Sequence, residues 1–456
     1  MKMKLEEIAK AVNGTISQGA DVEVTSVGFD SRKLENNALF IPMVGENDGH
    51  DYIQSARENG AVGTLWKLDH ADQAPADFPV ILVEDTLQAL QELAKYYLAK
   101  INPRVVAVTG SNGKTTTKDL IASVLATKFN VAKTQGNFNN EIGVPVTVLA
   151  MNSNTEVLVV EMGMDRPGQL HALSTLVSPD VAVITMIGEA HIEFFKTRDR
   201  IADAKMEIVD GLHEDGDLVF NGDEPLLQER AADLKLNKKT FGSHETNDIY
   251  PMQIVDGDTN TKFTTNDWEN LEFTINLLGE YNVNNALAAL EVGCLFELSP
   301  KDMQVGLEHA NLTENRTEWV KGAQGEMILS DVYNSNPTAV KAVLKAFDNT
   351  HVTGKRIVVL GDMLELGDQS KAMHASLADS LDPEKVADVL LIGDDMQALT
   401  DKLTSKYELG QNLFHYSADQ KDAMITELKS LIKSGDEVLL KASHGMHLEA
   451  VLQALK

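Results

Sequence analysis

At 456 residues, with 43% hydrophobic and 24% charged side chains, the chain has an ordinary globular composition and enough length for about three domains. Its net charge of −29 at pH 7 excludes non-specific nucleic-acid binding, which needs Lys and Arg to neutralise phosphates. Any anionic ligand must be held against that field by local basic residues and backbone N–H groups. The single cysteine excludes an internal disulfide framework and points to a reducing, cytoplasmic setting.

The first residues, Met1-Lys2-Met3-Lys4-Leu5-Glu6-Glu7, turn acidic before an apolar run forms, unlike a secretory leader. No stretch approaches the ~18 uninterrupted apolar residues of a membrane span. Residues 1–100 read as a small mixed α/β domain that ends near Ile101-Asn102-Pro103. From there short apolar runs, at 105–108, 157–160, 181–184 and 218–220, alternate with helical periodicity. Such alternation predicts a parallel sheet with helices on both faces. Over 241–282 polar and apolar residues alternate around Asp256-Gly257-Asp258, which predicts an antiparallel section. An alanine-rich helix over roughly 283–297 follows, and Cys294 on it is expected in the core rather than as a nucleophile. A boundary near 312 closes this central domain, 101–312. A second alternating series at 327–329, 357–360, 389–392 and 438–440 predicts a Rossmann-like domain over 313–456.

The segment from Val105 through Thr109, Gly110, Ser111, Asn112, Gly113, Lys114, Thr115 and Thr116 is a strand, a glycine turn and a helix start. Glycines let the backbone approach a phosphate, and the N–H groups of a helix N-terminus point at the anion. Lys114 is then placed for the β- and γ-phosphates and Thr115 for Mg²⁺. Val108 stands where the general pattern has its first glycine, but Leu120, Ile121, Val124 and Leu125 at helical spacing supply the helix that the loop requires. Glu161 and His191 follow apolar runs, at the strand ends where doubly wound sheets bind ligands. Glu161 suits Mg²⁺, which prefers oxygen. His191 stays open between a ligand and the commoner structural histidine. Lys205, in Ile201-Ala-Asp-Ala-Lys-Met-Glu-Ile, reads as a solvated helix lysine.

In this order, these segments resemble the Mur ligase family over essentially the whole chain. The resemblance is carried by Asp30-Ser31-Arg32, Leu39-Phe40 and the run from Gly45 to Ile53, then by the loop 109–116. It continues in the run from Thr134 to Pro145, in Asp331-Val-Tyr333-Asn334-Ser-Asn336-Pro337, and in Leu360 to Gly367 with His374. The later runs are similar to the branch that adds a dipeptide. The resemblance implies a UDP-binding first domain, a central ATPase-type domain and a Rossmann-like third. It implies ATP-dependent ligation of D-alanyl-D-alanine to UDP-N-acetylmuramoyl-tripeptide through an acyl phosphate, in peptidoglycan synthesis, by a cytoplasmic monomer.

The residue roles it implies are as follows. Thr109 to Thr116 hold the ATP phosphates, Asn282 and Asn285 meet the adenine, and Arg316 and Asp331 reach the nucleotide from the third domain. Thr115 and Glu161 share one Mg²⁺; His191 and Lys205, the latter as a carbamate, hold a second. Ser31, Arg32, Asp48, Gly49 and His50 line the UDP-sugar pocket, and Asn137, Asn139 and Asn140 meet substrate. The chain departs from the family pattern at Met186, at Asn315 and at Ala442-Ser443-His444. The alternatives are the branch that adds the third amino acid, a folate polyglutamate ligase, and a phosphate-loop ATPase switch without ligase activity.

Overall fold

Strand Arg104–Thr109 buries Val105, Val106, Ala107 and Val108, and Val157–Glu161 is buried along its whole length. β-Branched runs covered on both faces are what a parallel sheet with helices on each side demands. The two strands pair in parallel, with Glu161 opposite Val108, and Val131–Lys133 pairs in parallel on the far side of Val157–Glu161. The computed structural model describes residues 1–313 and 317–456. Arg316 and Asn315 lie outside the described residues.

Two compact units contain the chain. The first comprises Met1–Thr109, Lys128–Ala182 and Glu207–Asp217. Its N-terminal part is a five-stranded sheet in the order Thr15–Ile16, Val80–Val83, Ala61–Lys67, Ala38–Phe40, Ser26–Gly28. The last four strands are parallel. Helix Thr86–Ile101 is capped by Asp85, whose Oδ1 accepts from the Gln88 N–H at 2.8 Å, and it buries Leu90 and Leu93. It stops at Asn102, which is left-handed (φ 54°), ahead of Pro103.

The second unit comprises Gly110–Thr127, Val183–Met206 and Leu218–Lys456. Helix Lys114–Leu125 follows the glycine loop and packs beside helix Glu280–Leu295. The expected antiparallel section is a three-stranded sheet, Pro251–Asp256, Thr261–Thr265 and Phe273–Ile275. The C-terminal sheet runs Glu318–Lys321, Met327–Asp331, Glu437–Lys441, Arg356–Gly361, Asp388–Ile392, Leu413–Tyr416. All its neighbours are parallel except the first pair. A core of Ile328, Ile357, Val359, Leu390, Val438 and Leu440 lies beneath it.

Two sequence expectations fail here. Cys294 is exposed rather than core, because it falls in the last turn of helix Glu280–Leu295, past the residues that pack on neighbouring helices. Lys205 is only 2% exposed rather than solvated, because helix Arg198–Met206 turns Ile201, Ala202, Ala204 and Lys205 inward together. Among the described residues, no helix is long and apolar enough to cross a membrane.

Candidate functional site: a phosphate loop and its cation ligands

The glycine loop is held by its own unit. Ser111 N–H donates to Met186 O at 2.9 Å, and Thr185 Oγ donates to Asn112 O at 2.5 Å. Gly110 (φ 152°) approaches so closely that a Cβ there would lie 1.7 Å from Thr185 Oγ. Gly113 (φ 81°) caps the helix in the left-handed region that glycine tolerates. Lys114 Nζ donates to Gly110 O at 2.8 Å, which curls the ammonium over the loop. Met186, where the family pattern has an amide, takes a hydrogen bond on sulfur from Asn112 Nδ2 at 3.5 Å. Thr109 is a buried strand end, its hydroxyl bonded to Met162 O at 2.9 Å. Thr116 is half-buried in the first helical turn.

The third domain clasps this loop. Asn112 Nδ2 donates to Asn336 Oδ1 at 3.1 Å, and Asn336 Nδ2 donates back to Asn112 Oδ1 at 2.6 Å. Asn336 also caps helix Pro337–Phe347 through the Ala339 N–H. Asp331 pairs with the buried Lys441 Nζ at 2.6 Å, and Lys441 donates to Asn334 O at 2.8 Å. Asn285 Oδ1 accepts from the Thr117 hydroxyl at 3.1 Å, its Nδ2 donates to Asn282 Oδ1 at 3.0 Å, and Asn282 Nδ2 donates to Leu278 O at 2.9 Å. Those two amides, expected at an adenine, therefore tie helix Glu280–Leu295 to the loop's own helix.

The residues proposed for cations fit that chemistry one by one. Glu161 is 2% exposed; its Oε1 accepts from Asn139 Nδ2 at 2.8 Å, while its buried Oε2 has no hydrogen-bond partner. A buried carboxylate oxygen left without a donor is costly unless a cation completes it. Thr115 is buried, and its hydroxyl has no partner among the described residues. Lys205 is buried with neither carboxylate nor acceptor among the described residues, so burial, and then Lys114, holds its amine well below the usual lysine range. His191 binds Glu365 Oε2 through Nδ1 at 2.5 Å, which directs a neutral imidazole to keep its Nε2 lone pair for another partner.

In the first unit each of the predicted sugar-nucleotide residues is held by local hydrogen bonds. Asp30 grips Arg32 through both carboxylate oxygens, at 2.8 and 3.0 Å, and the Arg32 guanidinium holds the Asp30 carboxyl down to about 2. Ser31 is buried, its carbonyl accepting from Asn59 Nδ2 at 3.1 Å. Gly49 N–H donates to Met43 O at 2.9 Å. Asp48 accepts from His50 Nδ1 at 2.6 Å and from His70 Nε2 at 2.8 Å; the His50 N–H, with these imidazoles, holds its carboxyl down to about 2. Asp48, His50 and His70 have the residue types of a cation site, with ligand atoms within 4.8 Å of one another. However, His50 Nε2 accepts from the Lys67 N–H at 3.3 Å, so Nδ1 carries the proton, and Asp48 is taken up by two imidazoles. Asn137 is exposed in the loop after Thr134. Asn139 serves Glu161, and Asn140 Oδ1 accepts from the Gly143 N–H at 2.9 Å, starting helix Gly143–Leu149.

Sequence reasoning missed His70, Lys441 and the partnership of Glu365 with His191. Lys441 alone carried a signal: it ends a wholly apolar run, where a lysine must find a carboxylate. His374, grouped with the 360–367 run by resemblance, is fully buried and positions that run by accepting the Met363 N–H at 2.9 Å.

Known proteins share this chain's family and fold. Residues 23–98 match the family model for the Mur ligase family catalytic domain, 108–293 that for the Mur ligase middle domain, and 315–444 that for the Mur ligase glutamate ligase domain. The UDP-N-acetylmuramoyl-tripeptide–D-alanyl-D-alanine ligase of Bacillus subtilis is 42% identical over 458 residues, covering 100% of this chain and 98% of the relative. The Escherichia coli protein of the same name is 30% identical over 462 residues, with coverage of 100% and 99%. Among solved structures, MurF from Acinetobacter baumannii superposes with a TM-score of 0.86 at 26% identity, covering 100% and 99% of the two chains. MurF from Thermotoga maritima in complex with ADP gives 0.80 at 29%, covering 95% and 97%.

Proposed function

The chain belongs to the Mur ligase family, and from that premise we propose that it joins D-alanyl-D-alanine to UDP-N-acetylmuramoyl-tripeptide, with ATP supplying the driving force. The reading keeps three domains, at 1–100, 101–312 and 313–456, in the cytoplasm.

A carboxylate is a poor electrophile because its oxide is a poor leaving group. Transfer of the γ-phosphoryl of ATP to it gives an acyl phosphate and ADP. The dipeptide amine then attacks the acyl carbon, the C–O bond to phosphate breaks, and orthophosphate leaves. Phosphoryl transfer depends on positioning and on neutralising charge over the moving group. The backbone N–H groups of 110–116 cradle the phosphates, and Lys114 swings from Gly110 O onto them. The Asn112–Asn336 amide pair holds the loop against the third domain, so that water is kept from the acyl phosphate while the amine arrives.

The observation that carries the reading is Lys205. An amine that burial holds well below the usual lysine range, with no carboxylate beside it among the described residues, can add to CO₂ in its neutral form and release a proton. The product is a carbamate, an anionic oxygen ligand. Thr115 would hold the Mg²⁺ of the nucleotide, Glu161 has the chemistry of a Mg²⁺ ligand in its own unit, and a second ion would be held by His191 and carbamylated Lys205, where it would neutralise developing phosphoryl charge. Ser31, Arg32, Asp48, Gly49 and His50 line the UDP end of the acceptor. Asn282 and Asn285 would meet the adenine from the helix they brace, and Asp331, oriented by Lys441, would reach the nucleotide from the third domain.

Orthophosphate release measured across a grid of UDP-muramoyl peptides and D-dipeptides tests reaction and branch together. Release that needs both the tripeptide nucleotide and D-alanyl-D-alanine is expected. Turnover with a free amino acid and the muramoyl dipeptide would move the chain to the third-residue branch. ATP hydrolysis indifferent to both co-substrates would leave a switch ATPase.

A further inference from the structure

Strand Arg356–Gly361 ends in a loop that reaches the His191–Glu193 segment twice. Glu365 Oε2 receives the His191 Nδ1 hydrogen bond at 2.5 Å, and Glu365 O accepts from the Glu193 N–H at 3.0 Å. The backbone is unusual on both sides of this contact. His191 (φ 62°) and Glu365 (φ 63°) are both left-handed without being glycine, a conformation that persists only where the surroundings over-determine it. Gly367, two residues on, is also left-handed (φ 59°), and a Cβ there would lie 3.3 Å from Glu193 Cα. The His191 and Glu365 side chains are 31% and 45% exposed, and an ion pair so open to water contributes little stability. Its consequence is directional: a carboxylate on Nδ1 fixes the imidazole tautomer and aims the Nε2 lone pair away from the third domain's loop.

We propose that Glu365 is the positioning residue for His191, delivered by the third domain, so that the His191 cation site is complete only while that domain is docked. The inference rests on His191 as a cation ligand. A neutral imidazole has a single N–H, and among the described residues Glu365 alone holds it on Nδ1. Without Glu365 the ring is free to rotate and to carry its proton on Nε2, which closes the lone pair. An outer carboxylate on a ligating histidine is typically worth ~10–100-fold in metal affinity.

Mn²⁺ binding to the full chain with ADP in bicarbonate buffer, followed by electron paramagnetic resonance, tests this without turnover. Glu365→Ala is expected to weaken one class of Mn²⁺ site by about 10–100-fold and to leave metal-free ADP binding unchanged. Glu365→Gln, whose amide oxygen still accepts from Nδ1, keeps most of the affinity. In a His191→Ala background, Glu365→Ala has no further effect. Thermal melts of each variant certify the fold, and a docking-only pair would make Gln as harmful as Ala to melting while sparing Mn²⁺. Weaker Mn²⁺ in His191→Ala with none in Glu365→Ala overturns this inference alone. Unchanged Mn²⁺ in His191→Ala overturns the ligand role beneath it.

Discussion

Glu291 lies on helix Glu280–Leu295, the helix whose Asn285 braces the phosphate-loop helix. It is 4% exposed, and burial pushes its carboxyl from 4.5 up to about 7, with Lys239 opposing the shift and Asp248 and Asp267 adding to it. The folded chain therefore holds this proton more tightly than the unfolded chain. The stabilisation is fully present below pH 4.5 and is lost as pH rises through about 7. At about 1.4 kcal/mol per pH unit the difference amounts to about 3 kcal/mol. Glu291→Gln keeps the shape and stays neutral at every pH. Its melting temperature should match wild type near pH 4.5 and exceed it by roughly 6–12 °C near pH 8.5, from about 2–4 °C per kcal/mol in a domain of this size. Scanning calorimetry across that range decides the matter. A gap that stays constant, or that widens toward acid, would refute a neutral buried carboxyl.

Three further outcomes follow from the geometry. Lys205→Ala should lose ligase activity, and a short carboxylic acid or high carbonate should restore part of it; full activity without rescue removes the carbamate. Gly110→Ala drives a Cβ onto Thr185 Oγ and the nearby Met186 N, a strain of about 1–3 kcal/mol, so ADP affinity by calorimetry should fall about tenfold or more. Gly45→Ala, with open space around it and no left-handed backbone to strain, is the control, and equal ADP binding in the two variants would contradict the close-approach argument. Asp69, and then Asp48, raises the His70 imidazole above 6.5. Its contribution is thus fully present below 6.5 and is lost as pH rises through the raised value, so the melting gap between wild type and His70→Gln should shrink on going alkaline. An NMR midpoint for His70 that does not drop in Asp69→Asn would sink that assignment.

The parallel strands were legible because their side chains are buried on both faces, so each reads as an unbroken apolar run, which in Val157–Val160 is ended by the ligand-type Glu161. The glycine loop was legible too, since Gly110 and Gly113 occupy backbone conformations or close approaches that another residue would strain. Cys294 and Lys205 misread in opposite directions for one reason. A helix shows its period in sequence, but the depth to which each face sinks is set by its neighbours. Thus a cysteine in an apolar run surfaced at the last turn, and a lysine in a polar run went under. Asn282, Asn285 and Asn139 match a motif in sequence, and only the structure shows that their amides also bond to a helix and to the Glu161 carboxylate.

Local chain chemistry alone determined the alternation of strand and helix, the phosphate loop and the family to which the chain belongs, because all three depend on residues close together in sequence. Tertiary structure alone decided that Lys205 is buried with its amine held well below the usual lysine range, that Glu161 keeps one oxygen without a donor, and that Glu365 lies against His191, 174 positions away. Charge state and hydrogen-bond completion depend on what water can reach, and that is a property of packing between distant segments.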